Sequence, residues 1–250
     1  MSDRAGAGAG RIVLPEIDST NAEGFRRAAS LDGPTWIVAG LQTAGRGRRS
    51  RPWVSPQGNV HATLVLKPTE PPEIVALRSF AAALALRDAL VQITGLPQSF
   101  TLKWPNDVLC NGGKLAGILL ESQGLGGPDP VLCIGIGVNL IAAPDRSLVE
   151  AGAVPPVCLM QETGLRITPE AFVDALAPAY AAWEAKFTAE GFHPLRAEWL
   201  AHAARLGEVI RARTGSETRE GVFETIDATG NLILRTQDAT LAIPAAEVFF

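Results

Sequence analysis

The chain has 250 residues, 47% of them hydrophobic and 19% charged, with a formal net charge of −4, which suits a globular protein of one large domain or of one domain plus a small appendage. That balance argues against a broadly basic nucleic-acid binder and against an acidic solvating tail, and no uncharged apolar run of about 18 residues offers a membrane span. Cys110, Cys133 and Cys158 stand without a CxxC pair or a histidine at ligand spacing, which argues against a zinc site or a disulfide framework and favours buried, reduced thiols.

Residues 1–10 read as a flexible small-residue leader lacking the apolar segment of a signal peptide, so a cytoplasmic location is expected. Arg11 to Pro15 reads as a first strand, and Asp18-Ser19-Thr20-Asn21 as the cap of a short helix reaching about Ser30. Thr35 to Leu41 is an apolar, β-branched strand that ends at a glycine and arginine loop. Val60, Ala62, Leu64 and Leu66 then alternate with His61, Thr63 and Val65 at the period of a strand. From Pro72 to Gly95 the apolar spacing turns helical, with Gly95-Leu96-Pro97 as the stop. Three strands follow, at Phe100 to Trp104, Gly113 to Ser122 and Val131 to Leu140. Thr168-Pro169-Glu170 opens a helix to about Thr188 that Pro178 should kink or break, and a second helix runs from about Phe192 to Ala204. The remaining residues alternate in short strands between turns, the pattern of a small β-barrel. The chain therefore reads as an α+β unit to about residue 205 followed by an all-β appendage.

Two segments carry chemistry. Leu102-Lys103-Trp104-Pro105-Asn106-Asp107 and Gly113-Lys114 set two lysines and a carboxylate around a tight turn between apolar strands. Lysines so embedded call for a bound anion, although snorkelling at strand ends is the alternative. Gly45-Arg46-Gly47-Arg48-Arg49-Ser50-Arg51 concentrates donors that match phosphate geometry, on glycines that let the backbone approach a ligand. Such a loop should repel itself and be mobile when empty; taken alone, it reads equally as a solvated loop or a nucleic-acid contact. Asp107 can cap its turn or take a proton from an amine. Gly135-Ile136-Gly137-Val138-Asn139 places glycines where side chains would obstruct a ligand or a neighbouring backbone, without the spacing of a dinucleotide fingerprint or a P-loop.

These stretches, together with Gln42-Thr43-Ala44 ahead of the arginine loop and Lys114-Leu115-Ala116-Gly117-Ile118-Leu119, occur in the order seen in biotin protein ligases, which the chain resembles from about Leu14 to Phe250. The resemblance implies an α+β fold: a mixed-sheet, class II synthetase-like catalytic domain over residues 11–205, then a small SH3-like β-barrel over 206–250. It implies a cytoplasmic ligase that joins biotin to ATP as biotinyl-5′-adenylate and passes the acyl group to a lysine of a biotin carboxyl carrier protein. Mg2+ is expected with the ATP, held mainly by its phosphates.

The resemblance also implies roles. Lys114 would lie between the biotin carboxylate and the α-phosphate and stabilise the charge that builds there. Arg46 and Arg48 would hold the carboxyl end and the adenylate phosphate, with the loop closing against water, and Asp107 would help the acceptor lysine lose its proton. Ser19, Thr20, Asn21 and Gln42 would meet the ureido head or its pocket wall, with Gly47 and Gly117 beside the biotin. Trp53 would lie near the adenine, and Lys103, Asn106, Asn139, Arg49 and Arg51 would line the ATP region. A leader ahead of Arg11 is too short for the DNA-binding domain of many relatives, so neither repression nor a DNA partner is carried over; no membrane is implied, and homodimerisation stays open. His61 stands where relatives often have an aromatic or other residue, and it reads either as a ligand contact or as a strand residue, the commoner case for a lone histidine. A lipoate or octanoate ligase of the same fold is the near rival, and a nucleic-acid-binding module the rival of a different class.

Overall fold

Strands buried on both faces sit at the centre of a seven-stranded mixed sheet. The computed structural model describes residues 8–150, 152–215 and 217–250; residues 1–7 of the expected leader lie outside them. The sheet comprises β1 (Gly10–Ile17), β2 (Thr35–Gln42), β3 (Val60–Leu66), β4 (Phe100–Lys103), β5 (Asp107–Cys110), β6 (Gly113–Gln123) and β7 (Val131–Val138), in the order β1-β2-β3-β7-β6-β5-β4. Only the β1–β2 pair is parallel. β5 is not among the strands that periodicity predicts, because four residues are too few to show a period.

Alternation decides what each face does. Val38, Ala62, Leu64, Ile118, Ile134 and Ile136 point into the main core, under α3 (Arg78–Thr94) and α5 (Pro169–Glu190). The opposite face carries Ile37, Val65 and Cys133 beneath α1 (Thr20–Arg27). That helix sits close because residue 24 is glycine: a Cβ there would lie 2.7 Å from Cys133 Sγ. α1 is two turns long, so the stretch of this face under Thr63, Gly135, Gly137, Gly117 and Glu121 is free to form a site.

The single helix read over Pro72 to Gly95 is two, α2 (Pro72–Ala76) and α3, joined at Leu77. Gly95 ends α3 in the left-handed conformation, φ 71°. α4 (Leu159–Thr163) is short. α5 runs through Pro178 without a break; buried Phe172, Val173, Leu176, Tyr180 and Phe187 hold it on the sheet and outweigh the hydrogen bond that the proline forgoes. After α6 (Phe192–Ala201) comes a five-stranded antiparallel sheet of β8 (Val209–Thr214), β9 (Glu217–Ile226), β10 (Leu232–Arg235), β11 (Thr240–Ile243) and β12 (Glu247–Phe249), ordered β11-β10-β9-β8-β12. Its core, including Ile210, Phe223 and Leu234, is continuous with that of the larger unit.

Candidate active site

A cavity of about 600 Å³ opens on the glycine-bearing face, and every residue singled out from the sequence as a site residue lines it. One wall is a polar network seeded by the start of α1. Ser19 is the N-cap, its hydroxyl accepting from Ala22 N. That geometry turns Thr20 and Asn21 towards β2 and β3. Gln42 Oε1 accepts from Thr20 N at 2.8 Å and from Thr20 Oγ1 at 3.0 Å, while its Nε2 donates to Ser55 Oγ at 3.0 Å. Thr63 Oγ1 lies 2.6 Å from Asn21 Oδ1 and 2.8 Å from Thr20 Oγ1. Asn21 Nδ2 donates to Glu121 Oε2 at 2.7 Å, and Glu121 also takes Arg46 on both oxygens, each at 3.2 Å. Buried amides and hydroxyls fixed in this way present one defined pattern of donors and acceptors.

The arginine loop does not stand unneutralised, as its sequence suggests. It folds back on itself, with Gly47 N donating to Arg51 O and Trp53 N to Gly45 O, and the protein supplies its counter-charges. Arg49 and Arg51 pair with Glu247 of β12, Arg51 also reaches Glu150, and Arg213 joins both carboxylates. Burial would raise the Glu247 carboxyl, but hydrogen bonds from Arg51 and Arg213 hold it down at about 2. Arg48 donates to Ala246 O at 3.2 Å. Burial lowers its pKa against the opposing pull of Asp107. Arg49 and Ser50 take left-handed backbone, φ 56° and 57°, which non-glycine residues adopt at some cost and which these tethers sustain.

Opposite lies the charged hairpin. Asp107 carries Lys114 Nζ at 2.7 Å from Oδ1, an ion pair without hydrogen-bond alignment, and Lys103 Nζ at 3.5 Å from Oδ2. Burial pushes the Asp107 carboxyl up, and the two ammonium groups outweigh it, so its pKa lies below the ordinary value. Lys103 goes the other way: burial lowers it more than Asp107 raises it. The Lys103 side chain is 8% exposed and that of Lys114 31%, so Lys114 is the cation better placed to meet a ligand. Its Nζ stands 5.6 Å from the Trp53 ring centroid.

The glycines prove to make room for this chain's own side chains. A Cβ on Gly137 would lie 2.5 Å from the Trp53 ring, one on Gly117 3.2 Å from it, and one on Gly135 2.5 Å from Asn21 Oδ1. Gly45 likewise admits Ser55 Oγ and Trp53 O, each within 2.8 Å of where its Cβ would be. Two predicted ligand residues have their amides committed to backbone: Asn106 Nδ2 donates to Ile118 O and Asn139 Nδ2 to Val157 O at 3.1 Å. His61 is a buried strand residue whose ring bonds to Pro56 O at 3.1 Å and whose pKa burial lowers. The sequence pattern does not mark Thr63, Ser55, Glu121, Glu150 or Glu247 as site residues. Glu121 had only a faint signal, as a lone carboxylate ending an apolar strand; the others had none until the fold joined them.

Residues 13–139 match the model of the biotin/lipoate A/B protein ligase family, and residues 206–250 that of the biotin protein ligase C terminal domain. The chain is 54% identical to the biotin--[acetyl-CoA-carboxylase] ligase of Paracoccus denitrificans, over 95% of this chain and 99% of that protein. It is 33% identical to the bifunctional ligase/repressor of Bacillus subtilis, over 95% of this chain and 73% of that one. The structure of the biotin protein ligase from Aquifex aeolicus in complex with biotin and ATP is similar at a TM-score of 0.79 and 27% identity, covering 95% of this chain and 97% of that one.

Proposed function

The chain belongs to the biotin/lipoate A/B protein ligase family, and from that premise we propose that it activates biotin with ATP and transfers the biotinyl group to a lysine of a biotin carboxyl carrier protein. The observation that carries the reading is convergence: Lys103, Lys114, Arg46 and Arg48, from three separate segments, line one cavity with the hydroxyls and amides of Thr20, Asn21 and Gln42. Attack of a carboxylate oxygen on the α-phosphate brings two anions together, so cations must cancel their repulsion and the charge on departing pyrophosphate. Lys114, half-exposed beside Asp107, takes that role, and Arg46 and Arg48 hold the carboxyl and phosphate groups. Thr20, Asn21 and Gln42, with Ser19 beside them, bind the ureido head. Trp53, laid over Gly117 and Gly137, forms the wall near the adenine.

In the second step the acceptor amine attacks the acyl carbon and AMP leaves with the bonding electrons. Asp107, ionised between two lysines, orients that amine and takes its proton. Magnesium would come with the ATP, held mainly by its phosphates. The C-terminal match supports biotin over lipoate. We also propose that the chain divides into a leader over 1–10, a catalytic domain over 11–205 and a barrel over 206–250. No helix of the described residues is long and apolar enough to cross a membrane; a cytoplasmic location rests on the use of ATP and on the unpaired thiols Cys110, Cys133 and Cys158.

ATP–pyrophosphate exchange tests the reading. It should depend on biotin and vanish in Lys114→Ala, whose circular dichroism should stay that of the folded protein. Exchange that lipoate supports equally, or that survives in Lys114→Ala, would overturn the assignment.

A further inference from the structure

Three successive residues of the hairpin that bears Lys103 and Asp107 are each gripped by residues beyond position 200. Leu102 N donates to His202 O at 2.8 Å, and Leu102 O accepts from Ala204 N at 2.8 Å. Lys103 Nζ lies 5.7 Å from the centroid of the Phe250 ring, which also takes the Arg205 guanidinium at 5.3 Å. Trp104 Nε1 donates to Gly230 O at 3.1 Å. These grips matter because β4 ends its sheet, with β5 as its sole neighbour there.

The turn that offers Gly230 O is itself built for the purpose. The Asp227 carboxylate accepts from Thr229 N and Oγ1, each at 2.8 Å, and from Asn231 N and Nδ2, each at 2.9 Å. Gly230 is left-handed, φ 85°, and a Cβ there would lie 3.0 Å from Leu77 and 3.1 Å from Phe80. A side chain would thus be strained in backbone and crowded against the α2–α3 junction, so glycine lets the turn seat its carbonyl against the buried Trp104.

We infer that Gly230 and Phe250 are positioning residues of the ligase reaction, acting through Trp104 and Lys103 to hold the charged hairpin in place. The inference rests on the function proposed above. The Gly230 carbonyl fixes the indole next to Lys103 in sequence, and the Phe250 ring faces the Lys103 ammonium with its negative π cloud. Together they set where Lys103 meets phosphate and where Asp107 meets the acceptor amine. The groups that hold biotin lie on other segments, on α1 and its cap, β2, β6 and the arginine loop.

The test compares Phe250→Leu, Phe250→Tyr and Trp104→Phe in the full-length protein. Rate constants for adenylate formation and for transfer to a carrier lysine are measured per active site, counted by adenylate titration. Phe250→Leu and Trp104→Phe should each slow both steps about tenfold, since small displacements of reacting groups cost rate steeply. The KM for biotin should stay within about twofold of wild type, and Phe250→Tyr, which keeps the ring, should match wild type. Rate constants per site that stay unchanged while only the thermal midpoint falls would overturn the inference, as would equal losses in Phe250→Leu and Phe250→Tyr. Should Trp104→Phe fail to fold, the two substitutions at the partly exposed Phe250 still decide. A wild-type protein inert in biotin-dependent exchange would overturn the ligase reading, and this inference with it; an active wild type with unaffected variants overturns this inference alone.

Discussion

Replacing Asp107 with Asn removes the one carboxylate that two lysines share. Lys114 Nζ lies 2.7 Å from it and Lys103 Nζ 3.5 Å. At an effective dielectric of about 20 those separations correspond to about 6 and about 5 kcal/mol of direct attraction, largely offset by the cost of taking the charges out of water. Lys114 is exposed enough to rehydrate when its partner goes, whereas Lys103 is left buried and unpaired. Losing one partner of a buried pair typically costs ~3–5 kcal/mol, and Lys103 can limit the loss by shedding its proton, because burial already depresses its pKa. A destabilisation of about 3 kcal/mol is therefore expected near neutral pH. A lysine with a folded pKa below its unfolded value of about 10.4 binds fewer protons when folded, so stability rises with pH between the two values. The gap between variant and wild type should accordingly narrow as pH climbs towards about 10. Urea unfolding at neutral and alkaline pH measures it. A loss under about 0.5 kcal/mol at neutral pH, or a gap that stays constant or widens with pH, would refute the reasoning.

Gly137→Ala drives a methyl to 2.5 Å from the Trp53 ring and should cost ~1–3 kcal/mol through overpacking; because the ring must move, the KM for ATP should rise by about tenfold, read by initial rates at saturating biotin. Arg48→Gly forfeits the bond to Ala246 O, so the variant should still form adenylate but release it into solution, where rapid filtration and mass spectrometry would detect it; full retention would contradict the closing role of the loop. Glu247, held at about 2, contributes stability that is complete above its unfolded pKa of about 4.3 and lost as pH falls through the folded value. Wild type should thus exceed Glu247→Gln by about 1 kcal/mol or less at neutral pH, given partly exposed arginines, and the two should converge in acid, as thermal unfolding at several pH values would show.

Strands and caps were legible because they depend on neighbours in sequence. The alternation at Val60 to Leu66 already separates core positions from Thr63 and His61, and Ser19 caps α1 as its spacing implies. The cationic segments were legible by composition alone, since few folds bury lysines without an anion to meet them. Boundaries fared less well: Leu77 divides one predicted helix into two, and Pro178 fails to break another because packing along α5 outweighs one missing hydrogen bond.

What stayed hidden is a matter of distance along the chain. Glu121 and Arg46 are 75 residues apart, Arg51 and Glu247 are 196, and Trp104 and Gly230 are 126. No local pattern links such pairs, so the carboxylates that stand against Arg46 and Arg51 come to light only in the folded chain. Local geometry, with its periods of 2 and 3.6 residues, settled the elements and the kinds of chemistry on offer. Which charges meet, which glycine admits which ring and which turn steadies the lysine hairpin were decided by tertiary packing, because ion pairs and side-chain contacts act over a few ångströms of space whatever the length of chain between them.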